Sequence, residues 1–141
     1  MPRGIRLPHR RGRTEGNPIY YVVKGEKAYL LADFSWLGSS GEAGDCMVEM
    51  AEGLLKSYAT ITPIEGKGCQ ADNTAEILVA LASQPSSLYY VVFFVFSDND
   101  SIRSFQKLKE TVLNREYRYV LFPTEPGDSF RVSPTSFHEA E

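Results

Sequence analysis

The sequence predicts an α/β fold: a two-layer sandwich in which a mixed sheet of four to six strands carries its helices mainly on one face. Three observations predict it. Residues 88–96, Leu-Tyr-Tyr-Val-Val-Phe-Phe-Val-Phe, form an unbroken apolar run of strand-forming residues, as expected of a central strand covered on both faces. The stretch 88–122 reads as strand, helix, strand, a crossover that makes its two strands parallel, and right-handed where they share a sheet. Ile19-Tyr20-Tyr21-Val22-Val23 supplies a further β-branched and aromatic strand near the start.

The elements follow in order. Residues 1–16, rich in Arg and Gly with Pro2 and Pro8, read as a basic arm, and residues 17–132 as a single domain. After the first strand, Lys24-Gly25-Glu26-Lys27 is a turn. The stretch 27–35 fits either the returning strand of a hairpin or the start of a helix. Residues 36–44 form a Gly- and Ser-rich loop. Asp45 then caps an expected helix over 46–58, with Val48, Ala51, Leu55 and Tyr58 on one face. Thr60-Ile61-Thr62 is a short strand stopped by Pro63, and Gly66-Lys67-Gly68 a turn. Asn73 and Glu76 make a capping box for a helix to about Ser83 that buries Ile77, Leu78 and Leu81.

Asp100 or Ser101 is expected to cap the next helix, whose apolar stripe is Ile102, Phe105, Leu108 and Val112; Arg103, Lys107 and Lys109 lie on its polar side. Tyr117 to Phe122 is the following strand, ended by Pro123, and Phe130-Arg131-Val132 an edge strand. A polar tail occupies 133–141.

Composition narrows the function classes. The chain has 141 residues, enough for one domain with a real core, since 43% are hydrophobic and 12% aromatic. Its two histidines, His9 and His138, both stand near a terminus, which leaves carboxylates to carry any enzyme chemistry. Cys46 and Cys69 are separated by 22 residues and belong to no C-x-x-C pattern, so a reduced, cytoplasmic protein is expected. No apolar signal segment follows the basic N-terminus, and the nine-residue apolar run is too short to span a membrane, which takes about 20 residues.

The net charge of −3 conceals a split. Arg3, Arg6, Arg10, Arg11 and Arg13 stand among the first thirteen residues without an acid, whereas the remainder holds 10 basic and 18 acidic residues. A basic arm on an acidic body is a candidate contact for nucleic acid or another polyanion, or for the body itself.

Four features invite chemistry. Asp98-x-Asp100 sits where a buried strand gives way to a helix, and two carboxylates at that spacing suit a hard cation such as magnesium; the same residues are ordinary turn and cap formers. Gly66-x-Gly68 suits close approach of a phosphate or a plain turn. Cys46, at the start of the expected helix, is a thiol activated by the helix terminus or a buried inert one. The aromatic residues at 89–96 read as core. Tyr20, Tyr29, Tyr89 or Tyr119 on an uncovered sheet face would make a self-association surface.

Two family resemblances follow from these residues. A buried strand ending in Asp98-Asn99-Asp100, then a helix, then a strand ending in Pro123, with Gly66 and Gly68 before the preceding helix, resembles part of a Toprim domain. That resemblance implies a magnesium-dependent nucleic-acid enzyme holding the metal with Asp98, Asp100 and a Glu after the first strand. Here the strand ends in Lys24 and the acid stands two residues on, at Glu26.

The second resemblance rests on Asn17 to Val23, Val92 to Phe96, Ser101 to Phe105 and Tyr117 to Pro123. Their layout is similar to a group of uncharacterised planctomycete proteins, with the element order of the ExbD/TolR periplasmic domain: hairpin, helix, strand, helix, strand. It implies a non-catalytic dimerising module. This chain lacks that family's membrane helix and carries an extra segment around 36–72.

The leading expectation is therefore a soluble, non-enzymatic α/β module, without a cofactor, that binds a protein partner or itself. The alternative is the Toprim-like enzyme, and a third reading makes the arginine arm the functional contact.

Overall fold

A computed structural model describes residues 16–31, 40–52 and 57–132. The five arginines of the arm, the tail from 133 and residues 36–39 of the loop at 36–44 lie outside the described residues. The elements are β1 (Asn17–Lys24), β2 (Lys27–Leu31), β3 (Gly41–Ala43), β4 (Cys46–Glu52), β5 (Ser57–Pro63), β6 (Cys69–Gln70), α1 (Thr74–Leu81), β7 (Tyr89–Phe96), α2 (Asn99–Asn114), β8 (Tyr119–Thr124) and β9 (Phe130–Val132).

These elements form the expected α/β class, with a mixed five-stranded sheet in the order β6-β2-β1-β7-β8. β1, β7 and β8 run parallel, while β2 returns antiparallel to β1. The open question at 27–35 resolves as far as Leu31: the chain turns at Gly25 (φ 64°) and comes back as a strand. Hairpin, helix, strand, helix, strand thus appear in sequence, with β3 to β6 inserted after the hairpin and β9 following β8.

The helices cover one face of this sheet. Ile19, Tyr21 and Val23 of β1 and Val91, Phe93 and Val95 of β7 pack there against Ile77 and Leu81 of α1 and Phe105, Leu108 and Val112 of α2. The other face carries a layer absent from the sequence reading. It is an antiparallel sheet in the order β3-β4-β5-β9. Its Cys46, Val48, Ala59, Ile61, Phe130 and Val132 pack against Tyr20, Val22, Val92, Phe94 and Phe96. Phe94 is the centre of that contact, with ring centroids 4.9 Å from Phe130, 5.8 Å from Phe122 and 6.1 Å from Tyr20. Because β7 is covered by helices on one side and by a sheet on the other, its side chains are apolar at every position.

The second sheet overturns two expectations. The helix over 46–58 is instead the β4–β5 pair, in register from Cys46↔Pro63 to Glu52↔Ser57. Alternation decides it: Cys46 and Val48 are buried while Met47 and Glu49 are exposed, which is the two-residue period of a half-buried strand. Nor is there an uncovered tyrosine face, for Tyr20 and Tyr29 are buried and Tyr89 and Tyr119 half-buried.

At α2 the cap is Asp98 rather than Asp100 or Ser101, and the stripe shifts with it. Ser101 and Ser104 are buried, and Ile102 is exposed. In α1, Ile77 and Leu81 are buried and Leu78 is half-buried. Tyr117 precedes β8 instead of opening it, and donates its hydroxyl to the carbonyl of Gln84 at 2.5 Å. Pro123 lies inside β8 rather than ending it.

Candidate functional site

The Asp98–Asp100 pair sits at the carboxyl end of β7, where it starts α2. Asp98 has extended backbone angles (φ −104°, ψ 164°), and its Oδ1 accepts from the Ser101 amide at 2.8 Å. Its Oδ2 accepts from the Ser101 hydroxyl at 3.0 Å. The same hydroxyl accepts from the Gly25 amide at 2.7 Å, and Ser104 Oγ donates to the Gly25 carbonyl at 2.7 Å. Asp98, Ser101 and Ser104 therefore tie the first turn of α2 to the β1–β2 turn. Asp98 satisfies one orphan helix amide, that of Ser101, and Asp100, inside the first turn, places negative charge at the positive end of the helix dipole.

Asp100 points away from that network and pairs with Arg103 at 3.1 Å on the exposed side. Glu26, exposed on the turn, lines a cleft of about 130 Å³ together with Asp100, Asp72, Arg103 and Lys107. The structure so brings Glu26 and Asp100 to one cleft, and Asp98 does not line it. Among the described residues no three His, Cys, Asp or Glu side chains group as a metal-binding set. A larger polar groove of about 430 Å³ continues between the helices, lined by Asp72, Thr74, Lys107, Glu110 and Arg115 among others.

The remaining candidates are structural in position. Cys46 lies on β4, not at a helix terminus; burial, and then Asp45, push its thiol up to about 12, so it stays protonated near neutral pH. Gly68 (φ 84°) packs where a Cβ would come within 2.9 Å of the Ala28 carbonyl oxygen, so close approach of the chain itself accounts for the glycine.

Sequence reasoning missed the outer margin that the main sheet presents among the described residues. β8 is its terminal strand. The register Val91↔Tyr119 and the bond from the Val91 amide to the Arg118 carbonyl orient the strand. Even-numbered residues turn their peptide groups to β7. Tyr119, Leu121 and Pro123 turn theirs outward.

Over its six residues β8 has no charged side chain, although charges are a common guard of such strands. Tyr119 packs on Phe93 and Phe105 at 6.1 and 5.9 Å, and Leu121 on the same face is 41% exposed. The flank of α2 above it carries exposed Ile102 and Leu113. Lys109 lies between them, over the Phe105 ring at 5.9 Å. The signal in the sequence was the proline itself, since within a sheet Pro is confined to edge strands, strand starts and bulges.

No family model matches the chain, and neither a curated protein nor a solved structure matches it.

Proposed function

We propose that the protein is a non-catalytic interaction module that binds a protein partner or a second copy of itself through the β8 edge. The observation that carries this reading is the uncharged, outward-facing β8 strand with Leu121 exposed beside it. An added strand would satisfy the outward amides of Tyr119 and Leu121 and cover Leu121, gaining main-chain hydrogen bonds and apolar burial together. The site chemistry points the same way, because both oxygens of Asp98 already serve the helix cap. No helix among the described residues is long and apolar enough to cross a membrane.

The test is Leu121→Lys. It places a charge on the edge without touching the core, so association measured by light scattering across a concentration series, or with a purified partner, is expected to fall while the circular dichroism spectrum stays native. Association that survives this substitution would refute the edge as the contact.

A further inference from the structure

We propose that the occupant of the β8 edge is a second copy of β8, paired antiparallel about a two-fold axis at Val120. This rests on the reading of β8 as a binding edge and adds the partner and the register. Antiparallel partners exchange both hydrogen bonds between residues whose peptide groups face each other, here the odd-numbered ones. Three two-fold axes fall on residues near the middle of β8. At Leu121, Tyr119 lies opposite Pro123 of the other copy, and at Phe122, Leu121 does; proline has no amide to return, so an outward carbonyl goes without a partner in both. With the axis at Val120, Tyr119 of each copy lies opposite Leu121 of the other. All four outward amides then donate and all four facing carbonyls accept. Pro123 therefore selects a register rather than closing the edge.

Side-chain pairing agrees with the same register. Tyr119 and Leu121 share the helix-covered face of the sheet, since their β7 partners Val91 and Phe93 lie in the core on that side. The half-buried Tyr119 ring of one copy would cover the exposed Leu121 of the other, an aromatic–aliphatic cross-strand pair. Such a contact uses the same patch on both subunits and closes at two.

Disulfide trapping tests the register. Val120→Cys, in a Cys69→Ser background, would face its own copy at a non-hydrogen-bonded pair with a Cα separation of about 4.5 Å, within disulfide range. Mild oxidation is expected to give a dimer whose linked peptide maps to position 120, with Leu121→Cys linking far less. Leu121→Pro is the second variant: like Pro123 it sits at an outward position, so it removes an intersubunit donor and no bond to β7. Self-association is expected to weaken by about tenfold or more, with the thermal melt at low concentration unchanged. A wild-type monomer at every concentration, or linkage through position 121, overturns the proposal. Either result leaves the edge reading standing, for that one fails only if association, with a further copy or with a purified partner, survives Leu121→Lys.

Discussion

Ser104 Oγ on α2 donates a 2.7 Å hydrogen bond to the carbonyl oxygen of Gly25, 79 residues earlier in the chain. One turn back along the helix, Ser101 Oγ accepts from the Gly25 amide, so a single glycine is held through both of its peptide groups. Serines at these two positions break the apolar stripe of α2, and this pairing is the physical reason they are buried.

Ser104→Ala is expected to destabilise the fold by about 1–2 kcal/mol, because it leaves the part-buried Gly25 carbonyl without its partner. The double change with Ser101→Ala should cost less than the two single costs together, since both serines secure the same residue. Urea unfolding of the four proteins in the cycle measures this; strict additivity would show that the two bonds act independently.

Asp98→Ala should cost about 1 kcal/mol through loss of the helix cap. Asp98→Asn, which keeps an acceptor for the Ser101 amide, should retain most of that stability. Neither the wild type nor Asp98→Asn is expected to gain thermal stability from added magnesium. A magnesium-dependent rise in Tm that vanishes in Asp98→Asn and Asp100→Asn would favour the metal-dependent alternative.

Stability should decline in alkali. The Cys46 thiol is raised by burial, and secondarily by Asp45, from 9.0 to about 12, and burial raises Tyr20 and Tyr21 further. Above pH 9 the unfolded chain releases the Cys46 proton while the folded chain keeps it, so unfolding becomes easier as pH rises. The contribution is complete below pH 9 and is lost between pH 9 and about 12. Cys46→Ala should flatten part of that slope in denaturant titrations at pH 8, 10 and 11. An unchanged slope would assign it to Cys69, whose thiol burial also raises, and to the tyrosines.

The elements with a single reading were legible in the chain. β7 was visible because apolar side chains at successive positions suit a strand buried on both faces. The α1 cap was visible because its partners are local: Asn73 Oδ1 accepts from the Glu76 amide at 3.2 Å. The β4–β5 pair was not. Val48, Ala51, Leu55 and Tyr58 fall at helical spacing, and Met47 on the outer face blurs the strand alternation; the pairing of Met47 with Thr62 is a long-range fact no local window contains.

The candidate site was half legible. The sequence placed Asp98 and Asp100 at a helix start. That Ser101 and Ser104 fasten this helix start to a turn more than seventy residues away is a contact no local pattern carries. Likewise Pro123 reads locally as a stop, and only the strand order shows that its missing amide faces away from β7.

The second sheet is assembled from two distant parts of the chain. β3, β4 and β5 come from residues 41–63, but β5 is flanked on its other side by β9, with Ala59 opposite Val132 and Ile61 opposite Phe130. During synthesis on the ribosome, the helix-covered side of the main sheet has all its parts once β8 has emerged. Phe94 and Phe96 must still wait for Phe130, which touches both rings. A nascent chain halted just before β9 would therefore present a finished back and a front that lacks one strand, with the Phe94 and Phe96 rings missing their Phe130 contact, an exposure of the kind chaperones cover.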